Sequence, residues 1–307
     1  MTVLQIDHLS KNYGAIKALN NVSFAVPKGT VFGILGPNGS GKTTLLGIVM
    51  DILKATEGTF SWDGQTASNE VRKKIGTLLE TPNFYHYMSA EDNLKIAASI
   101  KGRGMEDIDH VLRLVNLDQR KNSKFSTFSL GMKQRLAIAS TLLGDPDVLV
   151  FDEPTNGLDP AGIAEIRELI KELNKKGKTI IMASHILDEV EKVCTHVAII
   201  QKGVLKTVGS VKEVMNTDGT SVNAGTTLIE IAANDNEALQ NLIGSLHYIS
   251  DLTMDENGLS FTCPDTIQST DINQYCFEKG IVLSRLNVKR KSLETRFLEI
   301  TGTKSEK

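Results

Sequence analysis

A glycine-rich stretch near the N-terminus has the spacing of a loop that binds phosphate groups. It fits the pattern G-x-x-x-x-G-K-S/T and consists of Gly36, Pro37, Asn38, Gly39, Ser40, Gly41, Lys42, Thr43 and Thr44. Glycines let successive backbone N–H groups turn toward phosphate oxygens without a side chain in the way. Lys42 can supply a positive charge for the β- and γ-phosphates, and the Thr43 hydroxyl can ligate Mg²⁺. The stretch therefore predicts a site for a nucleoside triphosphate and its magnesium ion.

The sequence on either side favours this interpretation over a glycine-rich surface turn. The apolar run 31–35 is typical of a buried strand that enters the loop, and the apolar residues of 45–49 have the spacing of a helix that leaves it. A helix that begins near Lys42 would direct the positive end of its dipole at the same phosphates.

Two further strand ends carry polar side chains that could act on a phosphate. Asp152 and Glu153 follow the apolar run 148–151, and His185 comes shortly after the run 179–183. In doubly wound sheets ligands bind where the carboxyl ends of strands meet, so we expect these residues beside the glycine-rich loop. Asp152 is predicted to hold Mg²⁺, Glu153 to polarise the attacking water, and His185 to hydrogen-bond the γ-phosphate or that water. Alone, such a histidine is more often structural, and an Asp-Glu pair can simply begin a helix.

The composition is that of an ordinary globular protein and narrows the classes of partner. The chain has 307 residues and a net charge of −3, which gives no overall reason to expect nucleic-acid binding. Cys194, Cys263 and Cys276 form neither a CxxC pair nor a zinc spacing, so we expect reduced thiols in a cytosolic protein. We find no secretory signal core, and no apolar run approaches the ~18–20 residues that span a bilayer. A role at a membrane would need a separate chain.

The hydrophobic patterns divide the chain into an α/β part and a smaller C-terminal part. Short strands at 3–6 and 22–26 predict an antiparallel β portion ahead of a parallel core. From about residue 81 to residue 144 the spacing becomes helical, which indicates a helical subdomain inserted into that core. The polar stretch 216–226 is interpreted as a linker, and the patterns of 227–307 predict a small α+β accessory domain.

The stretch 128–135 carries a specific resemblance to a known family. It reads Phe-Ser-Leu-Gly-Met-Lys-Gln-Arg and resembles the LSGGQ signature of ABC transporters with its Gln-Arg extension. With the phosphate-binding loop and the Asp-Glu pair, it makes residues 1–215 similar to the nucleotide-binding subunit of such a transporter. The resemblance implies a P-loop NTPase fold with a RecA-like core sheet, and ATP and Mg²⁺ as cofactors.

The signature departs from the usual pattern at two positions. Leu130 replaces the first of the paired glycines and Met132 replaces the glutamine. Ser129 and Gly131 remain, and they can present a hydroxyl and N–H groups to a γ-phosphate at the start of a predicted helix. This variant is similar to the signatures of exporters that act on peptides, antibiotics and other amphiphiles.

The resemblance assigns roles to residues outside these motifs. Tyr13, on a predicted loop, would stack on adenine, although a structural tyrosine in a turn fits equally well without the family. Asp159 belongs to the inter-subunit loop 156–159. Glu80 stands where the family usually has a glutamine that senses Mg²⁺. A carboxylate can still ligate the metal but adds negative charge beside the phosphates, and cassettes resembling the bacitracin-resistance type share this glutamate.

Two more segments resemble parts of the family. Phe84, Tyr85 and Tyr87 would line a groove for a coupling helix of the permease, or would simply pack the helical subdomain. The stretch 291–300 resembles a helix found near the end of many exporter cassettes. Its apolar stripe indicates packing within the chain rather than a ligand site.

The family resemblance also implies how the protein would work. Two cassettes would pair head to tail, with each ATP held between one glycine-rich loop and the partner's signature. Pairing and opening would drive a separate transmembrane permease between two states, and the cassette would be cytoplasmic and peripheral on the inner face of the cell membrane.

Two alternatives remain at this point. A soluble ABC ATPase acting on ribosomes or nucleic acid is disfavoured because such proteins usually carry two cassettes, or a coiled-coil insertion with a CxxC hook. A P-loop kinase or GTPase is disfavoured by the signature and by the lack of an NKxD base-reading motif in the expected place.

Overall fold

The structure is a computed structural model that describes residues 1–66, 68–79, 83–216, 226–255, 258–264, 266–289 and 293–302. The chain divides into two units, one of Met1–Val211 with the described residues from Ile300 on, and one of Lys212–Glu299. The sequence patterns instead place the residues from 300 on in the second unit, as part of the stretch 227–307. No helix of the described residues is long and apolar enough to cross a membrane.

The described residues of the first unit form ten strands and seven helices, and an eighth helix begins at Val211, where this unit ends. The strands are β1 (Thr2–Tyr13), β2 (Ile16–Pro27), β3 (Val31–Leu35), β4 (Glu57–Trp62), β5 (Gln65–Thr66), β6 (Ile75–Leu78), β7 (Val148–Asp152), β8 (Thr179–Ser184), β9 (His196–Gln201) and β10 (Val204–Ser210). The helices are α1 (Lys42–Val49), α2 (Asn69–Lys73), α3 (Ala90–Lys101), α4 (Ile108–Leu114), α5 (Leu130–Leu142), α6 (Pro160–Lys175), α7 (Leu187–Val193) and α8 (Val211–Asn216), with 3-10 turns at Asp118–Arg120 and Phe125–Thr127. Helix α8 extends past Val211 into the second unit.

A six-stranded sheet forms the core of this unit. Its order is β10-β9-β3-β8-β7-β6, and all neighbours are parallel except β10 and β9. Every residue of β3, β7 and β8 is buried, which explains their uninterrupted apolar runs. In the register of the sheet Leu35 lies beside Ser184, and Asp152 lies beside Ala183. The predicted parallel α/β core is confirmed, and the carboxyl ends of three adjacent strands meet at one edge.

The antiparallel sheet at the N-terminus has the order β2-β1-β4-β5. Its first two strands are each 12 residues long, much longer than the short runs that the sequence indicated. Register shifts interrupt the pairing of β1 with β2, so the alternation of buried and exposed residues breaks and hides the true length. Tyr13 is the last residue of β1 and pairs with Ile16, so its placement on a loop was wrong.

The helical subdomain lies in the chain between β6 and β7. The side chain of Ser89 caps α3 by accepting a hydrogen bond from the Asp92 N–H at 3.0 Å. Ser129 caps α5 in the same way through the N–H of Met132. These caps satisfy backbone donors that have no partner inside the helix.

The described residues of the second unit form an antiparallel sheet, two whole helices, and parts of α8 and of a last helix that it shares with the first unit. Its elements are β11 (Thr226–Ala233), α9 (Asn236–Gly244), β12 (Ser250–Asp255), β13 (Gly258–Pro264), α10 (Ser269–Glu278), β14 (Leu283–Lys289) and the start of α11 (Leu293–Thr301). The sheet order is β12-β13-β11-β14, the arrangement of a split βαβ fold. Its core includes Ile231, Phe261 and the buried side chains of Cys263 and Cys276. The sequence predicted this α+β class but missed β12, an edge strand whose residues are mostly exposed.

Candidate nucleotide-binding site

The glycine-rich loop connects the buried strand β3 to helix α1. Gly39 and Gly41 have φ values of 77° and 107°, in the region that L side chains rarely adopt. At Gly36 a Cβ atom would lie 2.2 Å from the carbonyl oxygen of Ile200 and 2.4 Å from Oγ of Ser40. The loop therefore requires glycine at Gly36 for space and at the other two positions for backbone conformation.

Lys42 opens helix α1, and its side chain lies back over the loop. It is only 6% exposed, and its Nζ donates a hydrogen bond of 2.8 Å to the carbonyl oxygen of Gly36. The same ammonium is 3.6 Å from Oε1 of Glu153. A positive charge is thus held at the start of a helix, where the dipole also favours an anion.

Glu153 and His185 meet beside this lysine. Nδ1 of His185 is 2.8 Å from Oε2 of Glu153, in a hydrogen bond whose donor depends on the histidine tautomer. Glu153 has a φ of 48°, an unusual conformation for this residue type, and its N–H donates to the carbonyl oxygen of Ala183. One carboxylate therefore stands between an ammonium and an imidazole, an arrangement that can accept a proton from a water molecule.

The loop and Glu153 border a cavity of about 460 Å³. Predicted and unpredicted residues both line it: Ile16, Lys17, Ala18, Asn38, Gly39, Ser40, Gly41, Lys42, Thr43, Thr44, Glu153 and Lys202. The sequence missed the two additional lysines and the segment 16–18, because only long-range strand pairing brings them to the loop. Tyr13 does not line the cavity; it is 47% exposed, and Nζ of Lys11 lies 5.0 Å from the centre of its ring.

The candidate metal ligands are oxygen donors. Thr43 lines the cavity, and Asp152 is 3% exposed at the end of β7. Hydroxyl and carboxylate oxygens are the ligands that Mg²⁺ prefers, so the donor set fits that ion. Glu80, the third predicted ligand, lies outside the described residues.

The signature residues stand apart from this cavity. Ser129 and Gly131 are at the start of α5, and neither lines the cavity beside the glycine-rich loop. Gly131 has open space around its Cα, while Leu130 is 52% exposed and lies 3.2 Å from where a Cβ atom of Gly157 would be. Asp159 caps α6 by accepting a hydrogen bond of 2.9 Å from the Gly162 N–H and does not line the cavity either.

Comparison with known proteins decides the family. Residues 19–156 match the family model described as ABC transporter. The chain is 38% identical to the uncharacterized ABC transporter ATP-binding protein YhcH of Bacillus subtilis, over 99% of this chain and 98% of the relative. The chain belongs to the ABC transporter ATP-binding proteins.

Other relatives of this ABC cassette are named for antibiotic transport or resistance. It is 32% identical to the bacitracin transport ATP-binding protein BcrA of Enterococcus faecalis, over 98% of this chain and 96% of the relative. It is also 32% identical to the linearmycin resistance ATP-binding protein LnrL of Bacillus subtilis, over 98% of both chains. The cassette is therefore the ATP-binding subunit of an ABC transporter and couples ATP hydrolysis to transport. The transporter interpretation is supported over action on ribosomes or nucleic acid.

Solved structures agree with the fold of the cassette. An ATP-binding cassette in its ADP conformation is 28% identical with a TM-score of 0.66, over 71% of this chain and 96% of that chain. A dimeric post-hydrolysis cassette bound to ADP and phosphate is 27% identical with a TM-score of 0.62, over 68% of this chain and 98% of that chain. Cassettes of this family bind ATP and ADP and work as dimers with a membrane permease.

A bidentate ion pair joins the helices that follow β7 and β8. On α6, the Nε and Nη2 atoms of Arg167 donate to the two carboxylate oxygens of Glu189 on α7 at 3.1 and 2.7 Å. Glu189 is nearly buried, with 7% of its side chain exposed. Removal of the arginine would leave a buried carboxylate without a counter-charge, which is costly.

We expect Arg167→Met to lower the free energy of unfolding of the cassette by about 3 kcal/mol. Lys171→Met is the matched control, because Lys171 pairs with Glu168 at the surface of the same helix and should change stability by less than about 0.5 kcal/mol. Urea unfolding of the three proteins measures both values. Equal stability of the two variants would show that the buried pair contributes no more than a surface pair.

Proposed function

We propose that this cassette energises the export of a peptide, antibiotic or other amphiphile through a separate permease. Two observations support this substrate class. The Ser-Leu-Gly-Met form of the signature resembles that of such exporters. The relatives that match nearly the whole chain include the bacitracin transport and linearmycin resistance proteins.

The contact between Glu153, Lys42 and His185 is the observation that carries the proposed chemistry. Glu153 accepts a proton from the attacking water, and its position 2.8 Å from His185 and 3.6 Å from Lys42 holds that carboxylate in place. Lys42 then binds the β- and γ-phosphates, while His185 hydrogen-bonds the γ-phosphate or the water. Backbone N–H groups of the glycine-rich loop bind the remaining phosphate oxygens.

Magnesium is proposed as the metal ion of the site. Thr43 and Asp152 would hold it, and Glu80 is a further proposed ligand from the family resemblance. When bound, the ion neutralises charge on the phosphates during transfer. The additional carboxylate of Glu80 would place more negative charge near the phosphates than the usual glutamine does.

A head-to-tail homodimer is proposed because one chain supplies only part of the site. Ser129, Gly131 and Asp159 do not line the cavity of their own chain. Ser129 and Gly131 are at the N-terminus of α5, where a hydroxyl, N–H groups and the helix dipole can bind the γ-phosphate of an ATP held by the partner. Hydrolysis removes that contact and lets the pair open. Tyr13 would stack on the adenine after ATP binds.

A groove on the helical subdomain is the proposed docking site of the permease, and through it the cassette would be held at the membrane. The groove has a volume of about 370 Å³ and is lined by Asn83, Phe84, Tyr85, Asn93, Ile96, Ala97 and Ile100. Phe84 packs against Phe125 with ring centres 5.2 Å apart, whereas Tyr85 is 50% exposed. Asn93 fixes the wall by hydrogen bonds with the backbone N–H and carbonyl of Tyr85. Tyr87 is exposed but does not line the groove.

We expect Ile100→Glu to abolish co-purification of the permease from detergent-solubilised membranes while ATP binding is retained. Ile100 is 80% exposed at the groove. Docking of the permease would bury the new carboxylate without a partner, and an unpaired buried charge costs about 3–5 kcal/mol. Ile52→Glu is the matched control, because Ile52 is 66% exposed and does not line the groove. Capture of ribosomes or DNA by the wild-type cassette, in place of a membrane protein, would overturn the transport proposal.

A further inference from the structure

The turn between β9 and β10 forms part of the wall of the nucleotide cavity. Lys202 and Gly203 form this turn between the two strands. In the structure Lys202 lines the cavity beside residues of the glycine-rich loop, although it is about 160 positions away from that loop in sequence. A side chain that borders a nucleotide site from a separate element is a candidate for direct contact with the nucleotide.

Hydrogen bonds and close packing hold this turn against the loop. The N–H of Gly203 donates to the carbonyl oxygen of Ser40 at 2.9 Å, and the Asn20 N–H donates to the carbonyl oxygen of Gly203 at 2.8 Å. A Cβ atom at Gly203 would lie 2.7 Å from the carbonyl oxygen of Ala18. Lys202 is therefore presented from a backbone that is fixed relative to the glycine-rich loop.

The backbone of Lys202 has a left-handed conformation, which is unusual for lysine. Its φ is 50°, in the left-handed region where glycine and asparagine are favoured and lysine is not. A residue held there at some cost is a reason to look for a functional contact. Among the described residues no carboxylate forms an ion pair with Lys202, so its ammonium is available to an anion.

The charges around the cavity favour a polyanion. Lys17, Lys42 and Lys202 line it, together with a single carboxylate from Glu153. Lys42 is already hydrogen-bonded to the loop carbonyls, whereas Lys17 and Lys202 are exposed on the cavity wall. Positive side chains that line a cavity raise the local concentration of an anionic ligand and hold it by charge-assisted hydrogen bonds.

We infer that Lys202 is a nucleotide-binding residue. Its ammonium contacts the polyphosphate of ATP and ADP from the β9–β10 turn, which is separate in sequence from the glycine-rich loop, and so sets part of the affinity for nucleotide. This inference rests on the proposed use of the cavity for ATP. It adds to that proposal a contact made by the β9–β10 turn.

Titration calorimetry with ATP on the full chain tests the contact. We expect Lys202→Gln to weaken ATP binding about three- to tenfold at low salt, because an exposed charge contact is lost. Lys206→Gln is the matched control, because Lys206 lies on β10, is exposed and does not line the cavity. Lys202→Arg should keep the wild-type affinity, since it keeps the charge. Lys202→Asn should lower the affinity for ATP as much as Lys202→Gln does. This variant should also fold, because asparagine tolerates the left-handed conformation.

Salt dependence separates a charge contact from a structural role. The difference between wild type and Lys202→Gln should disappear at about 1 M salt, where charges are screened within about 3 Å. Equal ATP affinity of wild type and Lys202→Gln at low salt would overturn the inference, as would an equal loss in Lys206→Gln. If the wild-type chain itself bound no ATP, the proposed use of the cavity would fail as well, so the two failures are distinguishable.

Discussion

The Glu153→Gln cassette should bind ATP with nearly wild-type affinity and hydrolyse it about 10²–10⁴-fold more slowly. The amide keeps the size of the side chain and a hydrogen bond to His185, but it cannot accept the proton of the attacking water. ATP then persists in the site, and two cassettes remain paired. Phosphate release measures the turnover, and light scattering with ATP measures the pairing.

The control for this experiment is Glu165→Gln. Glu165 is on α6, 54% exposed, and pairs at 3.3 Å with Arg135 of α5, so its loss removes the same charge away from the cavity. It should hydrolyse ATP at close to the wild-type rate. If the Glu153→Gln protein stayed monomeric with ATP, the proposed trapping of a closed pair would be refuted. Undiminished turnover would remove Glu153 from the role of general base.

Gly36→Ala should weaken ATP binding by roughly 5- to 150-fold, because relief of such a clash costs about 1–3 kcal/mol. The new methyl group would meet a backbone carbonyl at 2.2 Å and the Ser40 hydroxyl at 2.4 Å. The carbonyl belongs to Ile200 of the neighbouring strand β9, so this oxygen cannot move without disturbing the sheet. The loop must therefore shift away from the positions that hold the phosphates. Titration of the isolated cassette with ATP measures this loss.

Gly131→Ala is the control for Gly36→Ala, because it replaces a glycine by alanine outside the glycine-rich loop. Gly131 has no positive φ and no heavy atom within 4 Å of an added Cβ, so the isolated cassette should fold and bind ATP normally. Its turnover should still fall if the signature contacts the partner's γ-phosphate. Normal ATP affinity in the Gly36→Ala protein would contradict the packing seen around the loop.

The local sequence was sufficient to predict the strands that are buried along their whole length. Strands β3, β7 and β8 are buried at every residue, so each produced an unbroken apolar run that could be recognised without knowledge of its neighbours. Ser129 and Asp159 cap helices by hydrogen bonds within three residues, and such short-range contacts are also visible in sequence.

Long-range contacts explain what the sequence did not show. The lengths of β1 and β2 are set by a pairing with several register shifts, and β12 is an edge strand with few buried residues. Lys17 and Lys202 reach the cavity only because separate hairpins pack against the glycine-rich loop. Glycine at 203 is typical of any turn, so its close approach to Ala18 gave no separate signal in the sequence.

The separation of Ser129 from the cavity of its own chain has a consequence for how activity scales. If two copies must meet to complete each site, the rate per molecule of a dilute preparation rises with protein concentration instead of staying constant. A permease with two docking positions would hold both copies within a small volume, which replaces a second-order encounter by an intramolecular one. Tethering of this kind would make hydrolysis far more efficient on the transporter than in free solution, and would limit idle consumption of ATP elsewhere.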